Sequence, residues 1–265
     1  MIFGKNRVPF PLLYCATVGL AIESANTVGY TGNTLTKKQY NIFAFPWVNV
    51  SGDTWSLNTV FKGENLVGGT SVNNADYIEI WDPTTMGYEQ FFYRSSNSTW
   101  TKAGTRNSFE TVHPDGLPAG TTVWYYSQNE SDAPTTTIAG EVLSTDDATW
   151  QLTLNQYNML GSAFPIRMKL NDAKQVTWGD AVGGTSVNNA DYIEIWEPDT
   201  MGYEQFFYRS SNSTWTKAGT RNAFEVIHAD GLEINGGFWY FAQARDAGAD
   251  DEVTFLNPTK ATANE

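Results

Sequence analysis

His113 and His228 are the only histidines in this 265-residue chain, and each is followed closely by an Asp-Gly pair. Imidazole is the side chain best suited to moving protons near neutral pH, but a triad would need a nucleophile and an orienting acid converging on each ring. No Gly-x-Ser-x-Gly elbow accompanies them, and two histidines with one cysteine cannot furnish an ordinary structural zinc site. Both histidines therefore read as turn or packing residues. Carboxylates offer a second chemistry. Glu79 with Glu89, and Glu194 with Glu204, would face each other across a hairpin and could share the acid and base roles of glycoside hydrolysis. Two features count against it: Glu79 sits between Tyr77 and Trp81, where an exposed strand face is expected, and Asp82 is replaced by the longer Glu197 in the corresponding segment. The reading is a protein that is not an enzyme. Asn73, Asn74, Asp76 and Asp82, and separately Asp246, Asp250, Asp251 and Glu252, supply oxygens suited to calcium. With no twelve-residue calcium loop in the chain, solvated turns are the better reading, and neither a metal site nor a cofactor is expected.

Those candidate residues come in duplicate because the chain is one unit written twice. Residues 68–110 recur at 183–225 with changes only at Asp82 to Glu197, Thr84 to Asp199 and Ser108 to Ala223. The offset continues through His113-Pro114-Asp115-Gly116-Leu117 against His228-Ala229-Asp230-Gly231-Leu232, and to Val123-Trp124-Tyr125-Tyr126 against Phe238-Trp239-Tyr240-Phe241. Upstream, Gln39-Tyr40-Asn41 still answers Gln156-Tyr157-Asn158. A period this long exceeds that of solenoid repeats, so each copy can close its own core. The expected division is an export signal over 1–25, a first β module over 26–139 and a second over 140–265.

Sixteen basic against twenty-nine acidic residues give a net charge of −13, which repels nucleic acid and anionic membranes alike. Charged residues make up 17% and aromatic residues 14%, a profile that with abundant Thr, Ser, Asn and Gly suits an exported β protein. Lys5 and Arg7 followed by the apolar run from Val8 to Ile22 have the layout of a secretory signal, and the run is too short and too proline-broken for a membrane span. The sole cysteine, Cys15, falls within it, so the mature chain would carry no disulfide. The expected location is extracellular or at a bacterial cell surface, with no membrane insertion of the mature chain.

Strict alternation over Asp76-Tyr77-Ile78-Glu79-Ile80-Trp81 places Ile78 and Ile80 on one face of a strand and Tyr77, Glu79 and Trp81 on the other. Asp82-Pro83-Thr84-Thr85-Met86-Gly87 is turn chemistry, with glycine available for a positive φ, and Tyr88–Arg94 resumes the strand. Turn signals recur every 8–12 residues, and helix is expected only as a short piece near Ser56–Phe61 or Trp178–Val182. The fold class is all-β: two tandem, homologous β-sandwich or small-barrel domains. The order Tyr40-Asn41, Trp81-Asp82-Pro83 with Gly87-Tyr88, Trp100, Gly120 and Trp124, repeated through Tyr157-Asn158, Trp196-Glu197-Pro198 with Gly202-Tyr203, Trp215, Gly237 and Trp239, resembles tandem small β modules of secreted and surface proteins of environmental bacteria. The resemblance carries no catalytic pattern.

Two functional expectations follow. Thr27-Val28-Gly29-Tyr30 resembles Thr137–Val142 at the junction of the copies. If one strand both closes the first copy and opens the second, the free N-terminal strand can add to the open edge of another chain near Val253-Thr254-Phe255. Repetition of that head-to-tail contact builds a filament or surface layer, with the chain itself as partner. This is the leading expectation. The alternative is a bivalent adhesin that holds polysaccharide on the flat rings of Tyr77, Trp81, Tyr192 and Trp196.

Overall fold

A computed structural model describes residues 28–49, 54–61, 66–130, 135–246 and 248–258. The segment expected to be an export signal, Cys15 and Thr27 lie outside these residues. The chain is mostly β-strand in several antiparallel sheets, as the sequence implies. In the first copy the elements are β1 (Val28–Thr34), β2 (Tyr40–Ala44), β3 (Thr54–Trp55), α1 (Leu57–Val60), β4 (Tyr77–Asp82), β5 (Gly87–Arg94), β6 (Thr99–Lys102), α2 (Phe109–Val112), β7 (Leu117–Pro118), β8 (Thr122–Tyr126) and β9 (Thr135–Glu141). The second copy contributes β10 (Asp147–Gln151), β11 (Gln156–Gly161), β12 (Val176–Thr177), β13 (Tyr192–Glu197), β14 (Gly202–Arg209), β15 (Thr214–Lys217), α3 (Phe224–Ile227), β16 (Gly237–Ala242) and β17 (Glu252–Leu256).

Each copy builds a five-stranded sheet with the same topology, β2-β8-β4-β5-β6 in the first and β11-β16-β13-β14-β15 in the second. The β4–β5 turn departs from its expected chemistry in one respect: the positive φ of 50° falls on Met86, and on Met201 in the second copy, rather than on the glycine that follows. Alternation sends Ile78, Phe91, Val123 and Tyr125 to one face, where they bury against Trp55, Phe61, Trp100 and Phe109. The second sheet packs Ile193, Phe206, Phe238 and Tyr240 with Trp178, Trp215 and Phe224 in the same way. Helix α1 forms where expected, with Ser56 as its N-cap accepting from the Asn58 amide. Residues 178–182 are not helical, while α2 and α3, single turns that each bury one Phe, appear where no apolar stripe signals them.

The expected strand sharing at the junction is replaced by two separate antiparallel pairings. β1 pairs antiparallel with β9 from Val28↔Glu141 to Thr34↔Thr135, so the N-terminal strand finds its partner within its own copy. The second copy opens with its own strand, β10, which pairs with β17. Val253, Thr254 and Phe255 lie in β17, where all three pair with β10 and Thr254 and Phe255 also pair with β12, so the edge expected to be open there is largely taken. The physical reason is effective concentration: two extended segments within one chain meet at far higher local concentration than segments of separate chains.

The face of each sheet that points away from its own core meets the other sheet. Trp124, Met159 and Trp239 are buried there, with Ile42, Trp81, Tyr157 and Trp196 packed around them. The contacts are reciprocal: Trp81 meets Trp239 edge to face at 5.3 Å, and Trp196 meets Trp124 at 5.5 Å, both at 87°. This is the self-complementary pattern of a two-fold dimer interface, made within one chain. Two bonds stitch it: Trp81 Nε1 donates to the Tyr157 carbonyl at 2.8 Å, and the Ala44 amide donates to the Asn235 carbonyl at 2.8 Å. Gly161 and Gly237 make the close approach feasible, since a Cβ on Gly161 would lie 2.2 Å from the Ala44 Cβ and one on Gly237 2.2 Å from Thr122 Cγ2.

Candidate functional site

The β4–β5 hairpin decides the fate of the carboxylates. Its register places Gln90 opposite Glu79 and Glu89 opposite Ile80, and the second copy repeats this with Gln205 opposite Glu194 and Glu204 opposite Ile195. Cross-strand partners share a face, so Glu79 and Glu89 project from opposite faces of one sheet, as do Glu194 and Glu204. The sequence expectation that they face each other is therefore corrected, and the paired-carboxylate geometry of glycoside hydrolysis is not assembled by these residues.

Glu89 and Glu204 are held in identical clusters. Lys102 forms an ion pair with Glu89, and His113 Nε2 lies 2.5 Å from the other carboxylate oxygen; Lys217 and His228 treat Glu204 the same way. Burial pushes the Glu89 carboxyl up, but hydrogen bonds and charge from Lys102 and His113 outweigh it and hold the group below the ordinary glutamate range. The same balance lowers Glu204. Each histidine also packs its ring on the Phe that begins the preceding helix, Phe109 or Phe224, at 4.9 Å. The histidines thus fasten a turn to a sheet, the role their sequence context suggests. Missed by sequence reasoning were Asn58 and Asn171, which bind Glu110 and Glu225 and accept the backbone amides of Trp100 and Trp215. Their spacing differs from the 115-residue offset, which hides the equivalence.

Glu79 and Glu194 face the other sheet. Each accepts a hydrogen bond from the opposite glutamine at 2.7 Å, from Gln90 and Gln205 respectively. Glu79 is buried, which pushes its carboxyl up, while Glu194 is partly exposed. Around them, tyrosines from both sheets are partly desolvated: burial pushes the Tyr88 hydroxyl up to about 12 and also raises Tyr203.

Three concavities open along this junction. One of about 810 Å³ is bordered by Trp81, Asp82, Tyr88, Glu89, Gln90, Lys102 and His113 of the first copy and by Trp150 of the second. Its counterpart, about 480 Å³, is bordered by Trp196, Glu197 and His228 of the second copy with Tyr40–Phe43 of the first. A third, about 300 Å³, lies between the sheets themselves. The aromatic residues singled out from sequence divide accordingly. Trp81 and Trp196 each border one of the two larger clefts while packing across the junction. Tyr77 and Tyr192 lie outside those linings: Tyr77 stacks on Tyr126 and shares a 2.8 Å hydroxyl contact with Tyr40, and Tyr192 stacks on Phe241 and meets Tyr157 at 2.7 Å. The Trp196 indole N–H is buried without a protein partner, unlike that of Trp81.

Two of the carboxylates considered for calcium have other partners. Asp76 is buried and accepts from the Tyr125 hydroxyl and the Val67 and Gln128 amides, and Asp82 closes its turn through Thr84 and Thr85. Among the described residues no three His, Cys, Asp or Glu side chains gather as a metal site. No described helix is long and apolar enough to cross a membrane. No protein-family model, no curated protein and no solved structure matches the chain.

Proposed function

We propose that this chain is an exported, non-catalytic protein of the bacterial cell surface, built from two homologous β modules behind an export signal, and that it binds polysaccharide in the two large clefts at the module junction. The observation that carries the reading is the reuse of Trp81 and Trp196, each bordering an open cleft beside hydrogen-bonding side chains. A ring face suits the apolar face of a sugar, and carboxylates, amides and lysines around it suit the hydroxyl rim. Two clefts on one rigid unit would make binding to a repeating polymer bivalent. Native gel electrophoresis in soluble neutral, acidic and amino polysaccharides tests this: at least one should retard the protein, Trp150→Ala and Trp196→Ala should each lessen the retardation, and unchanged mobility in every polymer would refute the proposal.

A second reading, self-assembly, retains one specific support. β1 is an edge strand of its two-stranded ribbon, and Val28 and Tyr30 are 65% and 77% exposed on it. Such an edge is a template for strand addition, here at β1 rather than at β17. Negative-stain microscopy of the secreted protein beside a version lacking residues 25–34 decides it: filaments lost on truncation support assembly, and monomers in both samples refute it.

A further inference from the structure

The third concavity differs in kind from the two clefts. It is a composite of both copies, walled by Trp81 and Tyr88 from the first and by Tyr157, Tyr203 and Trp239 from the second, with Glu194 as its carboxylate. The rings stand steeply to one another: Trp81 and Tyr88 meet at 65° with centroids 5.1 Å apart, Trp81 and Trp239 at 87° and 5.3 Å, Tyr88 and Trp239 at 76° and 6.4 Å. They therefore form adjoining walls rather than one flat platform.

We propose that this cavity binds a small organic cation of the alkylated ammonium class. Aromatic faces on several sides attract such a cation through their quadrupoles, and its alkyl groups fill an apolar space that a hydrated metal ion could not use. Metal ions of the calcium class need several oxygen ligands, which these walls do not provide. Glu194 supplies the counter-charge. Among the described residues its hydrogen-bond partner is the neutral amide of Gln205 and no Lys, Arg or His pairs with it, whereas Glu204 on the other face is taken by Lys217 and His228. The Tyr88 and Tyr203 hydroxyls remain neutral, since burial raises them. A net charge of −13 draws cations towards the molecule as a whole. The cavity's volume, about 300 Å³, is at the lower end for small-molecule sites and suits a trimethylammonium group with a short substituent. The symmetry-related position is occupied by Glu79, which is only 8% exposed, so a single site per chain is expected.

The test is calorimetric titration of the mature protein with choline and with its neutral isostere 3,3-dimethylbutan-1-ol. This requires no polysaccharide, so its outcome is independent of the sugar-binding proposal. Choline should bind saturably at one site per chain, and the isostere at least about tenfold more weakly, the factor expected when cation–π attraction and one counter-charge are lost. Glu194→Gln, which keeps the oxygen that accepts from Gln205, should weaken choline by a similar factor and leave the isostere unchanged. Equal binding of choline and isostere would overturn the proposal, and so would an absence of saturable choline binding. Should the variant fail to fold, the comparison of the two ligands on the unaltered protein still decides.

Discussion

Replacing Gly161 by alanine adds one methyl group at the point where the two sheets come closest. The new Cβ would lie 2.2 Å from the Ala44 Cβ and 2.8 Å from Thr122 Oγ1, against the 3.5–4.0 Å at which carbon atoms attract. Ala44 and Thr122 belong to β2 and β8, paired strands of the opposite sheet, so neither Cβ can retreat without moving backbone. The sheets must part by more than an ångström, loosening the contacts of Trp81 with Trp239 and of Trp196 with Trp124. Overpacking of this kind costs about 1–3 kcal/mol, and the immobility of both partners puts Gly161→Ala in the upper half of that range. Ala44→Gly alone deletes a buried methyl and loosens a strand, at about 1–2 kcal/mol. Together the two substitutions exchange a knob and a hole, and the double variant should be more stable than the sum of the single effects by about 1 kcal/mol or more. Urea unfolding of the four proteins, followed by tryptophan fluorescence, measures this coupling. Additive effects, or a Gly161→Ala protein within about 0.5 kcal/mol of the parent, would refute the packing of the two sheets described above.

Other perturbations probe the clusters within each copy. Arg245 and Asp191 form an ion pair at 2.8 Å with both side chains buried, so Arg245→Met leaves a buried carboxylate without its cation and should cost about 3 kcal/mol in denaturant unfolding. The folded-state depression of Glu89 and Glu204 contributes stability that is complete above the ordinary glutamate value and is lost as pH falls through the depressed one. Glu89→Gln with Glu204→Gln should therefore lower the neutral-pH urea midpoint and flatten its fall on acidification, whereas a slope equal to that of the parent would show that the clusters do not contribute. Asp76 works in the opposite sense: burial raises its carboxyl, so its charge penalises the fold as pH rises through that raised value, and the penalty is relieved by acid. Met201 holds a φ of 50° while 66% exposed, so Met201→Gly should stabilise the protein by up to about 1 kcal/mol, as read from the unfolding midpoint.

The copies are not equivalent everywhere, and one difference shows how a site can escape the repeat. Asp76 and Asp191 occupy matching positions and accept matching bonds from Tyr125 and Tyr240 and from the Gln128 and Gln243 amides. Only Asp191 gains an arginine, because Arg245 stands where the 115-residue offset would place Glu130. The buried carboxylate of the second copy is paired with a cation, while that of the first has only neutral groups as hydrogen-bond donors, and burial pushes its carboxyl up despite them.

The sequence by itself determined the duplication, the strand and turn at residues 76–94, and the division of Ile78 and Ile80 from Tyr77 and Trp81, because side-chain direction in a strand has a period of two and needs only local spacing. It also offered Ser56–Phe61 as one of two places for a short helix and read the histidines as turn or packing residues. Only the tertiary structure decided what the second face meets. Alternation states that Trp81 and Trp196 point away from their cores, yet nothing in it distinguishes solvent, a partner chain or the other copy. The register of β4 on β5 likewise separated Glu79 from Glu89, since a shift of one residue carries every side chain to the opposite face. The N-terminal strand closed on β9, and β17 acquired two neighbours, through pairings between residues far apart in sequence. The composite cavity at Glu194 arises from the same cause: its walls come from two copies, and only the docking of one sheet on the other brings Trp81 and Tyr88 to a carboxylate more than a hundred residues away.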